Sequence, residues 1–149
     1  MKLVFKLLFL YLLFLIQTII NRPQIDLIVL GLVIFSLYDT PITAIVLGIW
    51  AGFLLGLVNQ AYFGFHIIIL TLVAYASNNV HRYLYKYKLY FLAIVLLALL
   101  FKYLTTLIIL RNVQPFGIWL LSTLIMLLIA LPLENLIIKM FYKNLLRRF

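Results

Sequence analysis

Cysteine is absent from this chain, which excludes disulfides, thiolate metal sites and S-acylation. Carboxylates are nearly as scarce, with Asp26, Asp39 and Glu134 the full set. They come from three separate segments, and nothing in their spacing favours an acid/base pair. Capping by Asp39 and an interfacial place for Glu134 beside the basic tail are the expected roles. His66 and His81 lie too far apart to share a helix turn. A metal site would need partners that this chain lacks. No Ser-His-Asp set, glycine-rich phosphate loop or zincin helix is present either. No metal, cofactor or catalytic residue is therefore expected, and nothing points to nucleic acid. Charged residues make up 10% of the chain, against roughly a quarter in soluble domains, too few to coat a solvated surface.

Apolar residues are abundant instead, at 68% of the chain with a mean hydropathy of +1.25. This composition reads as an all-α integral membrane protein. The 149 residues leave room for several spans and almost nothing else. The amino terminus, Lys2 and Lys6 before an apolar run, begins like a signal peptide. The run continues to Ile20 without a small-x-small cleavage site, so it is read as a retained span.

A transmembrane helix takes about 20 mostly apolar residues. Six spans are predicted, at about 3–20, 25–38, 42–58, 65–80, 89–110 and 116–133, in one domain covering 1–149. Asn21-Arg22-Pro23 and Asp39-Thr40-Pro41 supply turns, because proline disfavours helix at the residue before it. Asp39 or Thr40 is placed to cap the third helix, with Pro41 in its first turn. The second segment is short for a span. In the tail, 135–149, Asn135, Lys139, Lys143 and Arg147 recur every four residues, opposite Ile138, Phe141 and Leu145. That pattern suits a basic amphipathic helix on the bilayer surface, or a continuation of the sixth helix.

Ala44, Gly48, Gly52 and Gly56 fall four apart on the third span. Small residues at that spacing let two helix backbones approach closely, a main source of packing energy in lipid. The stripe either packs inside the bundle or forms a groove for a partner's helix.

Orientation follows from the cations. With the amino terminus inside, Lys2, Lys6, Arg82, Lys86, Lys88, Lys139, Lys143, Arg147 and Arg148 are cytoplasmic, against Arg22 and Arg111 outside. That bias predicts both termini in the cytoplasm and attraction to anionic lipids there. Two features stand out within the spans. Thr71, Tyr75, Asn78 and Arg82 form a polar stripe expected to avoid lipid, by bonding to neighbouring helices or lining a cavity. Lys102 interrupts the fifth span with Thr105 and Thr106 one turn on, and an ionisable residue there either serves a site, bonds within the bundle or snorkels.

The order of features resembles the rod shape-determining protein MreD family. Arg22-Pro23 precedes the second span, Gly48-x-x-x-Gly52 marks the third, and Gly64 and Ala74-Tyr75 open and close the fourth. Pro132 then precedes the basic run from Lys139 to Arg148. Members often carry an aspartate one turn past the second glycine, where this chain has Gly56, so any role of that aspartate does not transfer. The resemblance implies a non-enzymatic inner-membrane subunit of the bacterial elongation machinery. Its implied partners are a single-span MreC-like protein and, indirectly, an MreB-like filament and cell-wall synthases. It also implies a six-helix bundle similar to the substrate-binding subunits of energy-coupling-factor transporters. That similarity supplies the alternative, a vitamin-type binding subunit with a polar pocket lined by Tyr75, Asn78, Lys102 or Thr106.

Overall fold

The computed structural model describes residues 2–20, 26–58, 60–84, 88–110 and 115–142. Among them are six α-helices: α1 (Lys2–Ile20), α2 (Leu27–Tyr38), α3 (Pro41–Val58), α4 (Phe63–Leu84), α5 (Lys88–Leu110) and α6 (Phe116–Phe141). A 3-10 turn, Gln60–Tyr62, joins α3 to α4. Five of the helices are long and apolar enough to cross a membrane, which makes this a multi-pass helical membrane protein.

The exception is α2. Its 12 residues rise only about 18 Å at 1.5 Å each, well short of a hydrocarbon core about 30 Å thick. The sequence reading, 25–38, is already short for a span, and the described helix is shorter still. Its composition, LIVLGLVIFSLY, is apolar on every side, the pattern of a helix enclosed by protein or by lipid. Eleven of its twelve residues are buried. Only a fully surrounded helix tolerates this, and α1, α3, α4, α5 and α6 all contact it. Gly31 meets α1 where a Cβ would fall 3.3 Å from Leu10 Cδ2 and closer still to Leu13. On another side Phe35 stands edge-on to Phe9 of α1 and Phe141 of α6, with ring centroids 5.8 and 5.2 Å away. The Ser36 hydroxyl is satisfied within α2, donating to the Leu32 carbonyl at 2.7 Å.

The α3–α4 hairpin is the closest helix pair, and the glycines explain why. A Cβ on Gly48 would sit 2.7 Å from Thr71 Cα, and one on Gly52 2.8 Å from both the His66 carbonyl oxygen and the Ile67 nitrogen. Gly56 is packed in the same way against Phe63. Ala44 is fully buried at the start of the stripe. The surface of α3 that the small residues expose is thus occupied by α4 of the same chain.

Two readings left open by the sequence are decided at the ends of helices. Thr40, not Asp39, faces the first turn of α3: its carbonyl accepts from Ala44 N–H at 2.9 Å and its hydroxyl from Thr43 N–H at 3.4 Å. Asp39 is drawn elsewhere by a cation. Helix α6 does not stop near Leu133 but runs unbroken through Pro132 to Phe141. Proline removes one backbone donor there, a loss that neighbouring packing offsets in membrane helices. The last turns are held by Ile137, which is fully buried, and by Phe141 against Phe9 and Phe35. Asn135 and Lys139 therefore belong to α6 rather than to a separate tail. Lys143, Arg147 and Arg148 lie outside the described residues.

Candidate functional site

The chemistry-bearing side chains gather at the two ends of α2. At its carboxyl end the Lys6 ammonium, from α1, reaches Asp39 Oδ1 at 2.5 Å and Oδ2 at 2.7 Å. Both side chains are nearly enclosed, at 6% and 10% exposure. The Tyr142 hydroxyl donates to Asp39 Oδ1 at 2.7 Å, and its ring lies 4.7 Å from Lys6 Nζ, a cation–π contact. Burial first, then the bond to Asp39, pushes the Tyr142 phenol well above its ordinary value, so it stays a donor. Beside it Tyr38 donates to Glu134 Oε1 at 2.6 Å, and the two tyrosine rings are 5.4 Å apart. Asp39 and Glu134 therefore do belong to one neighbourhood, each held by a tyrosine. Glu134 is not a free interfacial charge, since only 9% of it is exposed.

Asn78 completes this end. Its amide Nδ2 donates to the carbonyls of Ser36 at 2.6 Å and Asp39 at 2.7 Å. The last carbonyls of a helix lack intrahelical donors, and a buried amide from α4 supplies one to α2 without water. Its Oδ1 is buried with no hydrogen-bond partner among the described residues.

At the amino end of α2, Lys102 of α5 pairs with Asp26 at 2.5 Å, with exposures of 17% and 18%. Gln17 of α1 sits between, its Nε2 donating to Asp26 Oδ1 at 3.5 Å and its Oε1 accepting from Ile28 N–H at 3.2 Å. A carboxylate at a helix N-terminus is also favoured by the helix dipole. Lys102 is therefore bonded within the bundle rather than snorkelling freely. Thr105 and Thr106 share its backbone, donating to the Lys102 carbonyl at 2.9 and 2.7 Å.

The polar stripe on α4 does not act as a unit. Thr71 donates to its own helix at the Ile67 carbonyl, Asn78 is buried, and Tyr75 is 47% exposed on the outer face. Tyr75 lies where the packed side of α4 meets its open side. Tyr75 instead borders an apolar cleft of about 430 Å³ between α4 and α5. The side chain of Arg82 lies outside the described set.

Sequence reasoning missed the Lys6–Asp39–Tyr142 cluster because Lys6 passed as the basic flank of a first span. A signal was present, since Lys6 is followed immediately by apolar residues and lies four positions into the helix. A cation inside a span calls for a named partner, and Asp39 is that partner. No protein-family profile, curated protein or solved structure matches this chain.

The Lys102–Asp26 pair yields a direct expectation. Lys102→Met leaves the half-buried Asp26 beside an apolar side chain, whereas Lys102→Met with Asp26→Asn removes both charges. The single variant should lower the melting temperature in detergent, and the double variant should recover most of the loss. Equal melting of the two variants would show that the pair carries no coupling.

Proposed function

We propose that this chain is a non-enzymatic scaffold subunit of the bacterial elongation machinery, seated in the inner membrane with both termini in the cytoplasm. In this reading it docks a single-span MreC-like partner and supports peptidoglycan synthesis and cell shape, with an MreB-like filament and cell-wall synthases engaged indirectly. Anionic lipids meet its basic cytoplasmic face. The observation that supports it is the internal matching of ionisable groups. Asp39 is used by Lys6 and Tyr142, Asp26 by Lys102, and Glu134 by Tyr38. These bonds lock α1, α5 and α6 onto the ends of α2, as suits a rigid body offering its apolar outer faces to other helices.

A vitamin-type binding subunit would gather Tyr75, Asn78, Lys102 and Thr106 around one ligand. Asn78 and Lys102 instead serve opposite ends of α2, and Tyr75 borders a cleft that none of the other three lines. The scaffold reading is tested by expressing the chain in a rod-shaped host lacking its own MreD and isolating it from native membranes. Recovery of rod shape with co-purification of a single-span protein is expected. Stoichiometric recovery of a water-soluble small molecule instead would overturn it.

Topology is tested separately. A reporter active only in the cytoplasm should work when fused after Arg148 or within 83–88, and be silent within 111–114. Activity at the last site would overturn the six-span arrangement.

A further inference from the structure

The Lys6 ammonium sits in a receptor that the rest of the bundle builds. A primary ammonium is a compact charge with N–H donors only, and it is recognised by acceptor oxygens together with electron-rich ring faces. Both are present. Asp39 accepts from Lys6 at 2.5 Å on Oδ1 and 2.7 Å on Oδ2. The Tyr142 and Phe35 rings face the same nitrogen, with centroids 4.7 and 5.9 Å away. Phe35 lies on α2, Asp39 follows it directly, and Tyr142 follows α6. Helix α1 contributes the cation and none of these receptor groups.

Each receptor group is also fixed by something other than Lys6. Asp39 Oδ1 accepts from the Tyr142 hydroxyl at 2.7 Å, and the Asp39 carbonyl accepts from Asn78 Nδ2 of α4 at 2.7 Å. Phe35 is fully buried and stands edge-on to Phe141 of α6, with 5.2 Å between centroids. The Tyr142 N–H donates to the Ile138 carbonyl at 2.9 Å. Its ring lies 5.4 Å from that of Tyr38, whose hydroxyl is held by Glu134. Groups locked by their own neighbours keep their geometry when the occupant is removed. Without Lys6, what remains is an enclosed carboxylate beside two aromatic rings, the chemistry of an ammonium pocket.

We propose that the carboxyl end of α2 is a preorganised binding site for a primary alkylammonium, with Lys6 as its tethered ligand. Only 22% of the α1 span is buried, so this ligand-like bond is a principal fastening of that helix. The tether presents Lys6 at a high effective concentration, so a free amine does not displace it from the intact protein. Two N–H bonds to Asp39 select a primary ammonium over a quaternary one, which has no N–H to donate. The site stands whether or not the chain is a scaffold subunit, because it uses no partner and no membrane orientation.

The test is chemical rescue of the full chain carrying Lys6→Ala, read by thermal melting in detergent. That variant leaves a gap and an uncompensated carboxylate. n-Propylammonium has the shape of the atoms removed and supplies both volume and charge. n-Propanol supplies volume alone, and sodium chloride at the same concentration supplies screening alone. Lys6→Ala should melt below wild type, and saturating n-propylammonium should restore about half or more of the loss. n-Propanol, tetramethylammonium and sodium chloride should restore much less. Wild type should not respond, because Lys6 fills the site. Lys6→Ala with Asp39→Asn should respond no better to the amine than to the alcohol. Equal rescue of Lys6→Ala by amine and alcohol would overturn the proposal, as would an amine-specific response that survives Asp39→Asn or appears equally in wild type. If Lys6→Ala does not survive extraction, solubilising its membranes in n-propylammonium should recover folded protein where n-propanol does not. Failure of that recovery would count against the site in the same way.

Discussion

Gly52→Leu should abolish the stable fold while leaving membrane insertion intact. A Cβ at Gly52 meets backbone rather than side chain, at the His66 carbonyl and the Ile67 nitrogen and Cα. Side chains can rotate away from an intruder, but a helix backbone can move only as a whole. Overpacking of ordinary cores costs about 1–3 kcal/mol, and here α3 and α4 would have to separate along their length, so the upper part of that range applies. Leucine raises both helix propensity and hydrophobicity, so recognition as a span should survive. The measurement is thermal melting of the purified protein in detergent with no partner present. An unchanged melting temperature combined with lost partner capture would move the glycine stripe from internal packing to docking. Two glycines give an internal control. A Cβ added at Gly64 or Gly117 would meet nothing within 4 Å. Alanine at Gly117 should be neutral or stabilise by up to about 1 kcal/mol through helix propensity.

Asp39→Asn should be the most damaging of the three carboxylate substitutions. It preserves shape and leaves Tyr142 an acceptor, but it strands the Lys6 ammonium where only 5% of that residue is exposed. Breaking one partner out of a buried pair costs about 3–5 kcal/mol, because the remaining charge has lost its compensation. Lys6→Met combined with Asp39→Asn removes the stranded charge and should restore most of the stability. Melting curves of the two singles and the double, set out as a mutant cycle, read the coupling directly. Wild-type melting of Asp39→Asn would mean that the pair contributes nothing. Cell-shape complementation by Asp39→Asn must therefore be read against protein level, since a loss of shape with a loss of protein reports folding rather than a site.

The composition of this chain was enough to determine its solvent. A sequence with so few charges and such continuous apolar runs has to satisfy its backbone internally, and helices do so within each segment. Five long runs became five long helices, with starts close to those legible from Pro, Asn and Asp punctuation, while α4 and α6 run on past their expected ends to Leu84 and Phe141. The regular placement of Gly48, Gly52 and Gly56 also showed that α3 approaches a neighbour closely. The sequence did not say which neighbour, because spacing describes one surface and says nothing of its complement. Tertiary structure chose α4. It also decided that α2 is wrapped by protein rather than lipid, a distinction invisible in sequence because lipid tails and leucine side chains are equally apolar. The ion pairs were hidden for a related reason. Lys6 and Asp39 are 33 residues apart, and Asp26, which precedes α2, is far in sequence from Lys102 of α5. A buried charge announces from sequence that it needs a partner, but only the packing of α1 and α5 against the two ends of α2 determines which carboxylate lies within reach.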